Sequence, residues 1–80
     1  MDKIEKFLQK LDNARREKIK LLLQQILLNQ LADLEVKKLQ GFEDLFRVRS
    51  GKIRIVFRKD ESRNIPISVA FRDSVYKDLK

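Results

Sequence analysis

Apolar residues recur at Ile4, Phe7, Leu8 and Leu11, the i, i+3, i+4, i+7 spacing of a helix with one buried face. Asp12-Asn13 interrupts that pattern. Asn13 is suited to cap a second helix, and Glu17 suits its first turns. Ile19, Leu22, Leu23 and Ile26 then supply the main apolar stripe, which predicts a helix running to about Asn29. Two antiparallel helices joined by a tight turn are the expected result. Leu21 and Leu28 lie nearly opposite the stripe. Either the first helix crosses them obliquely, or they form a second apolar surface for a partner chain. Residues 31–40 set Leu34, Val36 and Leu39 among Asp33, Glu35, Lys37 and Lys38, and read as a fraying helix or a loop.

After Gly41 the period changes from 3.6 to 2. Phe46 and Val48 alternate with Arg47 and Arg49, and Ser50-Gly51 offers a two-residue hairpin turn. Ile53, Ile55 and Phe57 alternate with Arg54, Val56 and Arg58. A polar turn over residues 59–64 leads to a third strand in which Ile65, Ile67, Val69 and Phe71 are expected on one side. Pro66 suits the start of that strand or a sheet edge. A short helix over about residues 74–79 closes the pattern. The expectation is one α+β domain over residues 1–80: a helical hairpin packed on an antiparallel β-sheet of about three strands, with a short C-terminal helix.

Composition narrows the chemistry. A chain of 80 residues can bury one small core. It has no cysteine and no histidine, which removes disulfides, thiolate chemistry and the commonest general base and metal ligand. No cofactor or metal is implied. The longest apolar run is at residues 21–23, far short of a membrane span, and residues 1–10 carry charge throughout, so a cytoplasmic protein without membrane contact is expected. The net charge of +7 favours an acidic partner. Its placement is more telling: between residues 45 and 59 stand Arg47, Arg49, Lys52, Arg54, Arg58 and Lys59, with no acidic residue among them.

A turn at Ser50-Gly51 pairs Val48 with Ile53, Phe46 with Ile55 and Arg47 with Arg54. The apolar pairs then share one face beneath the helices. The opposite face carries Arg47, Arg49, Arg54 and Arg58, joined from the third strand by Ser68, Ala70 and Arg72. Directly opposed like charges weaken a strand pair by a few tenths to about 1 kcal/mol. Small side chains at Ser68 and Ala70 would leave the face concave. Clustered guanidinium groups suit phosphate, which arginine grips through paired hydrogen bonds. The bland alternative is a solvated strand face, or one neutralised by Asp73 or Asp78. Lys37, Lys38, Lys59 and Arg63 read as solvated charges or general attraction for RNA.

Lys38-Leu39-Gln40-Gly41, followed by Leu45-Phe46-Arg47-Val48-Arg49-Ser50-Gly51-Lys52-Ile53-Arg54-Ile55-Val56-Phe57-Arg58, resembles the core of the RelE/ParE toxins. The ending Arg72-Asp73-Ser74-Val75-Tyr76 is similar to that family's terminal R-x-x-V-Y, and the resemblance covers nearly the whole chain. The RelE-like branch is the one implied. Its members are ribosome-dependent endoribonucleases that cut messenger RNA and are silenced by a co-expressed antitoxin. The resemblance puts Arg54 on the phosphate-binding arginine. It puts Arg72 and Tyr76 near the cleaved phosphate, and Arg47 and Arg49 on the basic positions of the first hairpin strand. The catalytic candidates are therefore Arg54, Arg72, Tyr76 and Arg47, and the RNA-binding candidates are Arg49, Lys52 and Arg58.

The implied reaction uses the RNA's own 2′-hydroxyl as nucleophile, so it needs neither a metal nor a protein nucleophile. The arginines would hold the strand in line and stabilise charge on the transition state. Three departures stand out. Arg47 and Arg49 occupy positions where active members often carry Lys or His, leaving Lys52 or Tyr76 to move a proton. Phe71 stands where the family commonly has His. The strand that usually opens the fold has no counterpart before Ile4, so the sheet is expected to leave an edge open to an antitoxin strand or a second copy. The competing functions are a non-catalytic module that docks on RNA or the ribosome and a ParE-like inhibitor of DNA gyrase. The R-x-x-V-Y ending disfavours the latter.

Overall fold

A computed structural model of the chain describes residues 3–71. Within them the order is α1 (Lys3–Gln9), α2 (Asn13–Leu27), β1 (Val36–Lys38), β2 (Leu45–Ser50), β3 (Ile53–Asp60) and β4 (Arg63–Phe71). The strands form one antiparallel sheet in the order β1-β2-β3-β4. The α+β class and the helical hairpin are as expected, with four strands in place of three. The additional strand, β1, comes from the ambiguous stretch before Gly41. Three residues hold too little of a period-2 pattern to be read as a strand, and pairing with β2 is what extends them. The anticipated helix near residues 74–79, together with Arg72 and Tyr76, lies outside the described residues.

The cap of α2 is Asp12 in place of Asn13: its Oδ1 accepts a hydrogen bond from the backbone N–H of Arg15 at 2.9 Å. Arg16 then fastens the hairpin. Its Nε donates to the Leu8 carbonyl at 2.9 Å and its Nη2 to the Leu11 carbonyl at 2.7 Å. The Leu8 carbonyl, which also accepts from the Leu11 N–H, lies at the end of α1 and the Leu11 carbonyl in the turn beyond it, so this guanidinium ties α2 to both. At the other end of α2, Asn29 takes φ 57°; its N–H bonds to Ile26 O and that of Gln30 to Gln25 O. Those bonds form a Schellman stop, which ends the helix before Asn29. From β4, the buried side chain of Asn64 donates to both Ile26 O and Asn29 Oδ1 at 3.0 Å, tying the helix end to the sheet.

The principal core lies between helices and sheet: Leu8, Leu11, Ile19, Leu22 and Ile26 meet Val48, Ile53, Ile55, Phe57 and Val69. Leu21 and Leu28 remain 61% and 58% exposed, so α1 does not cross them. A second, smaller cluster forms on the far face of the sheet from Leu39, Leu45, Val56 and Ala70, with Ile67 and Phe7 against it. Phe7 packs on both clusters, which places α1 over the β4 side of the sheet.

The hairpin register differs from expectation. Ser50 pairs with Ile53, Arg49 with Arg54 and Val48 with Ile55, so Gly51-Lys52 is the turn. Gly51 has φ +59°, and a single positive φ at the first turn position is the type II′ requirement that glycine meets without strain. The pairs shift by two, so each side chain keeps its face. In β4 the register passes from Val56–Ser68 to Phe57–Pro66, which leaves Ile67 as a bulge. Proline cannot donate to a ladder, and it sits here on an edge strand beside that irregularity. The bulge swaps parity. Val69 packs in the principal core, whereas Ile65, opposite Arg58, stays 38% exposed and Ile67 joins the second cluster. The sheet edges are blunted: β1 is short and lysine-bearing, and β4 carries the bulge and proline.

Two stability changes follow. Asn64→Ala leaves the Ile26 carbonyl and Asn29 amide without their buried partner, and is expected to lower unfolding free energy by about 1–3 kcal/mol in urea titration. Glu61, at the first position of the β3–β4 turn, has φ 53°. Glu61→Gly removes that strain and should raise stability by about 1 kcal/mol in the same assay.

Candidate nucleic-acid interface

Alternation within each strand decides which side chains share the face away from the helices. One row contains Arg49, Arg54 and Ala70; the next contains Lys37, Arg47, Val56 and Ser68. Arg49 and Arg54 are directly opposed, and so are Lys37 and Arg47. Four cations thus occupy adjoining positions, and the strand positions facing them carry no carboxylate. Mutual repulsion makes this arrangement unfavourable for the sheet by itself. An anion laid across both rows would reverse the sign of that interaction.

The rows differ in solvent access. Arg49 and Lys37 are exposed, whereas Arg47 and Arg54 are half-buried. Arg47 Nη1 is shielded from solvent yet makes no hydrogen bond among the described residues. A shielded donor left unsatisfied costs about 1–3 kcal/mol, which favours an acceptor arriving with a ligand. Ser68 and Ala70 are small and buried beside Val56 on the β4 side of the face. On that side Lys3 and Lys6 of α1, and Lys10 just beyond it, border a 230 Å³ hollow with Phe7, Val69 and Ala70. Lysines therefore flank the arginine rows along α1 and at β1.

The remaining sequence candidates separate. Arg58 lies in the next row, where its Nε approaches Asp44 Oδ2 at 3.3 Å. Both groups are about half exposed, so this pair partly neutralises that end of the face without holding it rigidly. Lys52 is not on the arginine face: it sits in the turn and lines a cleft on the helix side. Arg72 and Tyr76 lie outside the described residues. The structure brings together Arg47, Arg49 and Arg54, and adds Lys37. The sequence leaves Lys37 as a solvated charge or a general attraction for RNA, since its place opposite Arg47 exists only once β1 pairs with β2.

In fold the chain is similar to a chain of a crystal structure described as the RelB–RelE antitoxin–toxin complex from Methanococcus jannaschii. The TM-score is 0.73 at 26% sequence identity, covering 94% of this chain and 91% of that one. The likeness therefore extends over almost the whole of both chains. Comparison with protein-family models finds no match, and comparison with curated proteins finds none either.

Relief of the Arg49–Arg54 opposition is measurable. Arg49→Thr is expected to stabilise the protein by a few tenths to about 1 kcal/mol at low ionic strength. The gain should shrink in 1 M salt, where screening already weakens the repulsion. Chemical denaturation at both salt concentrations tests this, and a loss of stability at low salt would contradict it.

Proposed function

We propose that this chain is the toxin of a toxin–antitoxin pair: an endoribonuclease that grips ribosome-bound messenger RNA on its arginine face. The observation that carries this reading is the cluster of Arg49, Arg54, Arg47 and Lys37 in two adjoining rows of one sheet face. Likeness to a chain of the RelB–RelE complex supports membership of a toxin–antitoxin system. The toxin side is favoured by a self-sufficient core, in which Ile19, Ile26, Val48, Ile55, Val56 and Phe57 are all at most 1% exposed. A chain that had to wrap around its partner would leave such residues for the interface.

In this mechanism Arg54 binds the phosphate that bears the reaction, Arg47 stabilises the charge that builds on it, and Arg49 positions the strand. The adjacent 2′-oxygen attacks phosphorus as its proton is removed, and the 5′-oxygen leaves. The products are a 2′,3′-cyclic phosphate and a 5′-hydroxyl. The guanidinium groups stabilise charge on the phosphorane-like transition state. A guanidinium group, a donor with no acceptor site, suits that role and not taking the proton. By the family resemblance, Arg72 would join Arg54 at the phosphate, and Tyr76 would handle the proton or stack on a base. The cognate antitoxin has an apolar surface to receive it on the outer side of α2, where Leu21, Leu27 and Leu28 are 61%, 61% and 58% exposed.

A second reading has its own support. Arg47 and Arg49 stand where a base would serve cleavage, and a guanidinium offers donors only, which favours a module that docks on RNA or the ribosome without cutting.

Induced expression in bacteria with mapping of transcript 5′ ends separates the two. The wild type should generate new codon-phased ends and arrest growth. Arg49→Ala/Arg54→Ala should abolish both effects, while Arg58→Ala should retain most activity. Intact transcripts with folded wild-type protein would leave the non-cutting module.

A further inference from the structure

The helix side of the sheet holds a second cationic feature. A cleft of about 260 Å³ opens between the start of α2 and the β2–β3 turn, lined by Arg15, Lys18, Ile19, Ser50, Gly51, Lys52, Ile53 and Phe71. Its three charged residues are all basic and exposed, and they come from two separate elements. Arg15 and Lys18 stand in the first turns of α2, where the helix dipole disfavours cations. Neither the helix nor the turn gains from bringing these charges together.

The floor is apolar. Ile19 and Ile53 are buried, whereas Phe71 is 44% exposed. One side of the Phe71 ring is braced by Phe7, edge to face, at 5.3 Å between centroids. A held, half-open aromatic ring among cations suits a ligand that is both flat and anionic. An acidic peptide would satisfy the cations but leave the ring face unused. A nucleotide engages both, with its base on the ring and its phosphate on the ammonium groups.

Position favours a strand over a free nucleotide. Ser50 and Ile53 line the cleft, and their chain neighbours Arg49 and Arg54 form the outermost row of the arginine face. A single strand lying on that row reaches the cleft by rounding the hairpin tip at Gly51-Lys52.

We infer that this cleft binds a nucleotide of single-stranded RNA, stacking its base on Phe71 and holding its phosphates with Lys18, Lys52 and Arg15. The inference rests on the RNA-binding reading above and extends it to a second subsite on the opposite side of the sheet.

The test uses the full-length protein and a fluorescently labelled hexaribonucleotide, with binding read by anisotropy across a salt series. Phe71→Leu should weaken binding about 5- to 10-fold, since stacking on an aromatic ring is lost. Lys18→Gln/Lys52→Gln should reduce the log–log salt slope by about 1.4, at about 0.7 per phosphate contact. Thermal melts confirm that each variant folds, and the exposed lysine pair keeps the test valid should Phe71→Leu fail to fold. Arg49→Ala/Arg54→Ala forms a separate arm. If that variant loses binding while both cleft variants match the wild type, the cleft inference falls and the arginine-face reading stands. If the wild type does not bind the RNA, both fall.

NMR titrations distinguish the ligand. Larger shifts of the Gly51, Lys52 and Phe71 amides with 5′-AMP than with inorganic phosphate would support base stacking. Equal shifts would overturn it in favour of a plain anion site. Equal affinity for 5′-AMP and the hexamer would overturn the strand. Tighter binding of a Glu/Leu-rich peptide than of the hexamer, lost in the cleft variants, would overturn the inference in favour of a protein partner.

Discussion

The register between β2 and β3 governs the rest of the molecule. Val48 lies opposite Ile55 and Phe46 opposite Phe57, with the two phenyl rings stacked at 5.7 Å. A one-residue slip of β2 would turn Phe46 and Val48 away from the helices and bring Arg47 and Arg49 into the core. Unpaired buried charge is far costlier than any gain the slip could offer. Gly51 fixes the turn that sets this pairing, and the hydrophobic contacts with Ile19, Ile26 and Leu22 of α2 make it advantageous. Core formation and presentation of the arginines are therefore consequences of one alignment.

That coupling explains how a sheet tolerates opposed cations. The Arg49–Arg54 and Lys37–Arg47 pairs each oppose folding by at most about 1 kcal/mol. Burial of Ile55, Val56 and Phe57 on one strand outweighs this, at about 1.5–3 kcal/mol for each large apolar side chain. β3 is buried on both faces over this segment, because Val56 packs in the second cluster while its neighbours pack in the first. A well-anchored central strand can carry a repulsive row on its exposed positions, and the repulsion is then available for binding an anion.

Polar contacts fix the helical layer in place with little surface. Arg16 joins the end of α1 to α2, and Asn64 joins the end of α2 to β4. Both reach carbonyls at or just beyond a helix C-terminus, where acceptor capacity remains for a side-chain donor. The hairpin is thereby held over the sheet, which leaves the cleft between the start of α2 and the β2–β3 turn.

Much of this was legible in the chain itself. The period of 3.6 in residues 4–26 and the period of 2 after Gly41 were enough for the α+β class, the helical hairpin and the face on which Arg47, Arg49 and Arg54 lie. Periodicity is a local property that burial on one side imposes directly on sequence. Exact partners are another matter. The opposition of Arg49 to Arg54, and not of Arg47 to Arg54, depends on which residue of the turn adopts positive φ. The parity of Ile65 and Asn64 depends on a bulge at Ile67. Lys37 becomes a neighbour of Arg47 only through β1, whose three residues are strand because β2 is beside them. What the sequence determined by itself was the orientation of side chains within each element, because backbone geometry sets that residue by residue. Which elements meet, and hence which charges face one another across strands or a cleft, was decided by tertiary structure, because those contacts join residues whose spacing along the chain carries no record of them.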